Sequence, residues 1–161
     1  MYVLITPILL LITLIALFIL RISRTSTSYS WLVATLGTIF AWISILLWQM
    51  DLNRLFSPTI WKTSEIFLTS PEFYSDAYSW VYALSLTAVA GAIILTSPAR
   101  ANTIANATSW AGTLALTVLG LLAFLAKNPI TLVLAWTAID ITEFFNTLRA
   151  SNSPSLSERA V

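Results

Sequence analysis

Two carboxyl groups interrupt an apolar run in the last third of the sequence, Asp140 and Glu143 within Trp136-Thr137-Ala138-Ile139-Asp140-Ile141-Thr142-Glu143. A spacing of three puts both on one face of a helix. If that helix starts at Pro129, Asp140 lies eleven residues in, a rise of about 16 Å and so near the middle of a bilayer core about 30 Å thick. Glu143 lies one turn further along, toward the inner side. A lone carboxylate at that depth costs at least about 2.5 to 3.5 kcal/mol on insertion scales, so it must be protonated, paired or turned toward water. The chemistry this suggests is proton relay, in which a carboxyl group held in a low dielectric takes up or releases a proton as a positive neighbour moves.

The neighbours of the acids fit that role, and each also has a plainer use. Thr137 and Thr142 offer hydroxyl stepping stones, or simply bond the backbone carbonyl one turn back. Trp136 stands inside the span one turn before Asp140, where it lines the acid against lipid or packs as any aromatic would. Asp140 itself has a structural alternative as a protonated hydrogen-bond donor between helices, and Glu143 as a solvated group near the interface. No Lys or Arg lies inside any predicted helix. A basic partner for Asp140 must therefore come from another chain.

Composition narrows the remaining chemistry. The chain of 161 residues contains no cysteine and no histidine. Disulfides, zinc sites, iron–sulfur clusters and haem ligated by His or Cys are thus unsupported, and no metal or cofactor is expected. A formal net charge of +1 without a basic block gives no case for nucleic acid. No phosphate loop or nucleophile elbow is present, so the expectation is a transport or structural component rather than an enzyme. The sequon Asn106-Ala107-Thr108 reads as a chance match.

The elements that position the acids are membrane helices. Hydrophobic residues make up 58% of the chain and charged residues 9%, against about 25% charged in soluble domains, and mean hydropathy is +0.84. Five runs come near the roughly 20 apolar residues needed to cross a bilayer. They predict an all-α membrane protein, a bundle of about five transmembrane helices over residues 2–20, 31–50, 80–96, 109–126 and 129–148. The first is a retained helix rather than a signal peptide, since it has no basic start and is followed by Arg21 and Arg24 instead of a small-residue cleavage site. Pro7 falls in its first turns, where a missing donor costs least.

Residues 51–79 mix Asp51, Arg54, Lys62, Glu65, Glu72 and Asp76 with Leu55, Phe56, Ile60, Trp61, Ile66, Phe67, Phe73 and Tyr74. That charge density bars the segment from hydrocarbon, and it is expected as an interfacial flap capping one face of the bundle. Ser97-Pro98 ends the third helix, and Lys127-Asn128-Pro129 turns into the fifth with proline at a favoured position. Gly112 and Gly120 read as close-packing points between helices. Trp31, Trp48, Trp61, Trp80 and Trp110 fall at helix ends or in the flap and read as interfacial belt anchors. The transmembrane domain spans 1–148, and 149–161 is a polar tail.

With the N-terminus outside, Arg21, Arg24, Arg100, Arg149 and Arg159 lie inside against Arg54, Lys62 and Lys127 outside. The basic-residue rule favours that orientation, with a cytoplasmic C-terminus.

The stretch Trp110-Ala-Gly-Thr-Leu-Ala-Leu-Thr-Val-Leu-Gly-Leu-Leu-Ala-Phe-Leu-Ala-Lys-Asn-Pro-Ile-Thr-Leu-Val-Leu-Ala-Trp136 resembles the antiporter-like proton-channel subunits of respiratory complex I and of multi-subunit cation/proton antiporters. In that family a helix is followed by a short Asn- or Asp-containing turn and an apolar run ending in Gly-Trp-Glu or a relative of it. Asn128, Ala135 and Trp136 match that layout, while the family's glutamate is replaced by Thr137. The nearest acid is Asp140, one turn later on a similar face. The resemblance implies a subunit contributing a mid-membrane acid to proton translocation, with Asp140, Glu143 and Thr137 as relay and Trp136 as lining.

Family members carry many more helices, including a later one whose lysine pairs with the glutamate. The expectation is therefore an N-terminal fragment of a split subunit in a respiratory-chain-like complex of a bacterial plasma membrane. Other membrane subunits would supply the remaining helices and the basic partner. The alternatives are a non-conducting accessory subunit and a small homo-oligomeric transporter.

Overall fold

The computed structural model describes residues 2–23, 26–57, 70–99 and 107–151. Five α-helices account for nearly all of it: α1 Tyr2–Ile22, α2 Thr27–Leu46, α3 Ala77–Thr96, α4 Ala107–Phe124 and α5 Pro129–Ser151. Four spans, Val3–Ile22, Thr27–Met50, Ala77–Thr96 and Ala107–Phe124, are long and apolar enough to cross a membrane. In lipid a helix satisfies its own backbone, which is why such sequences fold this way. α5 is as long but less apolar, because Asp140, Glu143 and Asn146 fall within it.

α2, α3 and α4 begin before their apolar runs, whereas α1 starts at Tyr2 and α5 at Pro129, as the sequence predicts. α3 starts at Ala77 and not at Trp80 because Asp76 and Ser79 form a reciprocal capping box, with Ser79 N–H donating to Asp76 Oδ1 at 2.7 Å and Asp76 N–H to Ser79 Oγ at 2.9 Å. α2 takes in the polar turn Thr27 to Ser30 and ends at Leu46, tightening into a 3-10 turn over Leu47–Asp51. α4 stops at Phe124, two residues short of the predicted end. α5 runs to Ser151, so the first residues assigned to the polar tail are helical. The rest of the tail, 152–161, lies outside the described residues.

α1 packs on α2 and α4, α3 packs on α2 and α4, and α5 packs chiefly on α4. The four spans thus form an up-and-down bundle, and α5 stands outside it. The core runs through Leu10, Leu17, Ile45, Trp48, Ile94, Leu114 and Leu121, all buried. Glycines set the closest approaches. A Cβ on Gly37 would fall on the Oγ1 and Cγ2 of Thr13, and within 2.8 Å of its Cβ, where α1 meets α2. The expected packing points behave likewise: Gly112 lies against Asn146 of α5 and Gly120 against Leu86 of α3.

The segment expected as an interfacial flap holds a short antiparallel hairpin in its described parts. β1, Arg54–Phe56, pairs with β2, Phe73–Ser75, in the register Arg54 to Ser75 and Phe56 to Phe73. Asn53 takes a positive φ of 62° and donates its N–H to the Ser75 carbonyl at 2.7 Å, a left-handed position that asparagine tolerates. Phe56 and Phe73 pack against the core instead of lying along a lipid surface. Ile60, Trp61, Lys62, Glu65, Ile66 and Phe67 lie outside the described residues.

The tryptophans correct the belt expectation. Trp48 and Trp110 are buried, Trp31 and Trp80 half-buried, and each indole N–H crosses to another element. Trp31 donates to the Ile94 carbonyl at 3.0 Å and Trp80 to the Ile45 carbonyl at 2.8 Å. Both acceptors sit in the last turn of their helix, where carbonyls lack a full set of intrahelical partners. Trp110 donates to Ser97 Oγ at 2.8 Å, and Trp48 to Thr6 Oγ1 at 2.9 Å. Thr6 in turn meets Ser44 Oγ at 2.5 Å, and Ser44 donates to the Ala41 carbonyl. These indoles fasten helix ends to one another because an apolar slab makes an unpaired N–H costly. Trp48→Phe breaks the first link of that chain, and the loss of one buried bond, about 0.5 to 1.5 kcal/mol, should lower the thermal midpoint of the purified protein.

Candidate functional site: the outward face of α5

α5 owes its position to its first turn. Asn128 precedes it and accepts the Thr131 N–H at Oδ1 at 3.0 Å, a side-chain N-cap, while its Nδ2 donates to the Ser70 carbonyl at 2.6 Å. The Thr131 hydroxyl also bonds Asn128 Oδ1 and accepts the Glu72 N–H at 2.8 Å. Lys127 N–H donates to the Glu72 carbonyl at 3.0 Å, its ammonium meets Glu72 Oε2 at 3.0 Å, and Tyr74 N–H donates to the Leu125 carbonyl. The strand side of the flap is thus laced to the turn that aims the acid-bearing helix. Asn128→Ala removes the cap and the tie to Ser70. Losing a cap costs about 0.5 to 2 kcal/mol, and hydrogen exchange should quicken in the first turn of α5 and at residues 70–74.

Below that turn the helix has two faces. Thr131, Ala135, Ala138, Ile139, Thr142 and Asn146, spaced three and four apart, are buried or half-buried and turn inward. Val133, Trp136, Thr137, Asp140, Glu143 and Phe144 are exposed. The four residues expected to form the site therefore share the outward half of the helix. Trp136 is 61% exposed.

The Gly112 contact with Asn146 fixes the depth. In antiparallel helices that rise equally, six residues back along α5 match six forward along α4, a step of about 9 Å. Asp140 therefore stands level with Val118, inside the apolar span of α4, and Glu143 level with Ala115.

Among the described residues no hydrogen bond or ion pair reaches Asp140 or Glu143. Thr137 Oγ1 donates to the Val133 carbonyl at 2.8 Å and Thr142 Oγ1 to the Ala138 carbonyl at 2.7 Å. Both hydroxyls thus take the backbone alternative, and their protons point along the helix rather than toward a carboxylate. Among the described residues no group of His, Cys, Asp or Glu is placed to hold a metal ion.

What the arrangement offers chemically is a pair of carboxyl groups on a helix backed by one neighbour, at a depth where lipid cannot solvate them. The described basic side chains stand elsewhere: Lys127 pairs with Glu72 at the hairpin end, Arg54 lies in β1, and Arg21 lies in the last turn of α1. Arg24, Lys62, Arg100 and Arg159, and the side chain of Arg149 in α5, lie outside the described residues. The inward, bundle-fastening role of four tryptophans escaped sequence reasoning, although Trp31, Trp48, Trp80 and Trp110 each stand within a turn or so of a helix end, where free carbonyls and hydroxyls collect.

The fold makes this chain an all-α integral membrane protein, a four-span bundle with a fifth, acid-bearing helix on its flank. No protein-family model matches it, and no curated protein does.

Proposed function

We propose that the chain is a subunit of a larger membrane complex, related to the antiporter-like subunits of complex I and of cation/proton antiporters, to which α5 contributes Asp140 for proton translocation. The observation that carries this reading is the outward placement of both carboxyl groups level with the apolar middle of α4. Left against lipid they cost several kcal/mol, whereas a neighbouring polypeptide with a positive group answers them. In that assembly Asp140 exchanges the proton, Glu143 extends the path by one turn and Trp136 shields the pair. The redox or ion-gradient chemistry belongs to the partners. The excess of arginine in the loops assigned to the inside supports an orientation with the N-terminus outside.

A second reading, a non-conducting accessory subunit held by the same acids, is favoured by the Thr137 and Thr142 hydroxyls, which are spent on backbone carbonyls. The mass of the particle released by a mild detergent tests what the two readings share: unlike chains must accompany this one. Release as a lone monomer would sink both. Proton flux after substitution of Asp140 then separates them.

A further inference from the structure

The polar residues of α5 follow one another at steps of three from mid-span onward, as Asp140, Glu143 and Asn146. Each step rises about 4.5 Å and turns the helix back by about 60°. The line therefore climbs toward the end of α5 while winding from the outward face onto the seam with α4: Asp140 and Glu143 are exposed, and Asn146 is half-buried against Gly112. The opposite direction offers no such line. Residues 132–136 are Leu, Val, Leu, Ala and Trp, Thr137 spends its hydroxyl on the Val133 carbonyl, and Thr131 is buried and tied to Asn128 and Glu72.

Gly112 admits the last of these side chains. A Cβ there would stand 2.6 Å from Asn146 Oδ1 and 2.9 Å from its Nδ2, so the carboxamide occupies the place of a missing side chain on α4. Its two N–H donors and its acceptor oxygen meet no hydrogen-bond partner among the described residues. An amide left unpaired in hydrocarbon is costly, and the depth supplies the remedy. Gly112 is five residues from the start of α4, a rise of about 7.5 Å, close enough for water to enter from that end. Glu143, level with Ala115, stands about 12 Å from it, and Asp140 about 16 Å.

We propose that Asn146 is a positioning residue in a hydrated approach that joins the acids to water from one side of the membrane, the side where α4 begins and α5 ends. The inference rests on the relay assigned to Asp140 above. The carboxamide holds water in the α4–α5 seam, and that water reaches Glu143. An amide exchanges no proton itself but donates and accepts at once, so it orders a chain of water without ending it. A proton passes from this water to the Glu143 carboxylate and on to Asp140. The route from Asp140 to the opposite face belongs to the neighbouring chain, since residues 132–136 of α5 carry no group for it.

The absence of cysteine lets wetness be read one position at a time. A thiosulfonate that cannot cross membranes reacts with the thiolate, which forms only where water reaches. Full-length Glu143→Cys, Val133→Cys and Trp136→Cys are labelled in native membranes from each side, with Ile22→Cys at the end of α1 and Leu55→Cys in β1 marking the two ends of the bundle. Glu143→Cys should react at least severalfold faster than the other two α5 variants, and only from the side that labels Ile22→Cys. Adding Asn146→Leu, which fills a similar volume without polar atoms, should slow that reaction severalfold. Adding Asn146→Ser, smaller but polar, should leave it fast, whereas a residue that merely packs on Gly112 would give the reverse order. Equal labelling of the three positions, labelling of Glu143→Cys from the Leu55 side, or indifference to Asn146→Leu would each overturn the proposal. Labelling needs no proton flux: a wet position 143 with normal flux in Asp140→Asn sinks the relay alone, and a dry one with flux lost in Asp140→Asn sinks this approach alone.

Discussion

Asp140→Asn is expected to abolish proton translocation by the assembled complex while the complex itself still forms. Asparagine keeps the volume and the hydrogen-bonding reach of the side chain and removes its ability to ionise and pass on a proton. Because the group stands level with Val118 in the apolar span of α4, water cannot substitute for it, and the flux should fall by about a hundredfold or more, the scale on which a proton-transferring group contributes. Proton uptake by vesicles containing the extracted complex reads this, with subunit content measured on the same preparation. Glu143→Gln, one turn nearer the helix end, should have the smaller effect. Normal flux with Asp140→Asn would leave the chain an accessory subunit, and loss of the complex would make the acid a docking charge.

The largest effect on folding is expected at Gly37. Leucine there places a Cβ on the Thr13 hydroxyl and methyl, and neither partner can yield easily. Thr13 is buried and its hydroxyl donates to the Leu9 carbonyl at 2.8 Å, while α2 is held on its other side by α3. Overpacking of this kind typically costs 1 to 3 kcal/mol, so about 3 kcal/mol or more is expected for a residue as large as leucine against a buried side chain. The thermal midpoint in detergent should drop accordingly, and the Trp48 to Thr6 link at the far end of the same helix pair should loosen. Gly37→Ala is the milder change, and Thr13→Ala in the same chain should recover most of its loss. Absence of such coupling between the two positions would mean that α1 and α2 do not meet there.

The membrane class, the five helices, the proline start of α5 and the packing roles of Gly112 and Gly120 were legible in the sequence, because each follows from local chemistry. Hydropathy over some 20 residues reports a span, and Asn128-Pro129 specifies a helix start within one turn. The hairpin was not legible: strands of three residues, Arg54–Phe56 and Phe73–Ser75, are too short to show a period of two, and what holds them is the turn after α4. Helix starts shifted by up to a turn for a related reason, since Asp76 and Ser79 cap α3 ahead of its apolar run.

Residue types and their spacing established that a pair of carboxyl groups would share one helix face and that no basic residue lies inside a span to answer them. Which way that face turns was decided by packing: α5 lies on α4 alone among its substantial partners, with Asn146 against Gly112, and so presents the acids outward. The tryptophans show the same division. Their places near helix ends are written in the order of residues, but Trp31, Trp48, Trp80 and Trp110 turn inward because the neighbouring helices bring free carbonyls and hydroxyls within reach. Periodicity along one chain defines faces, and only the arrangement of several helices in three dimensions determines which face is covered.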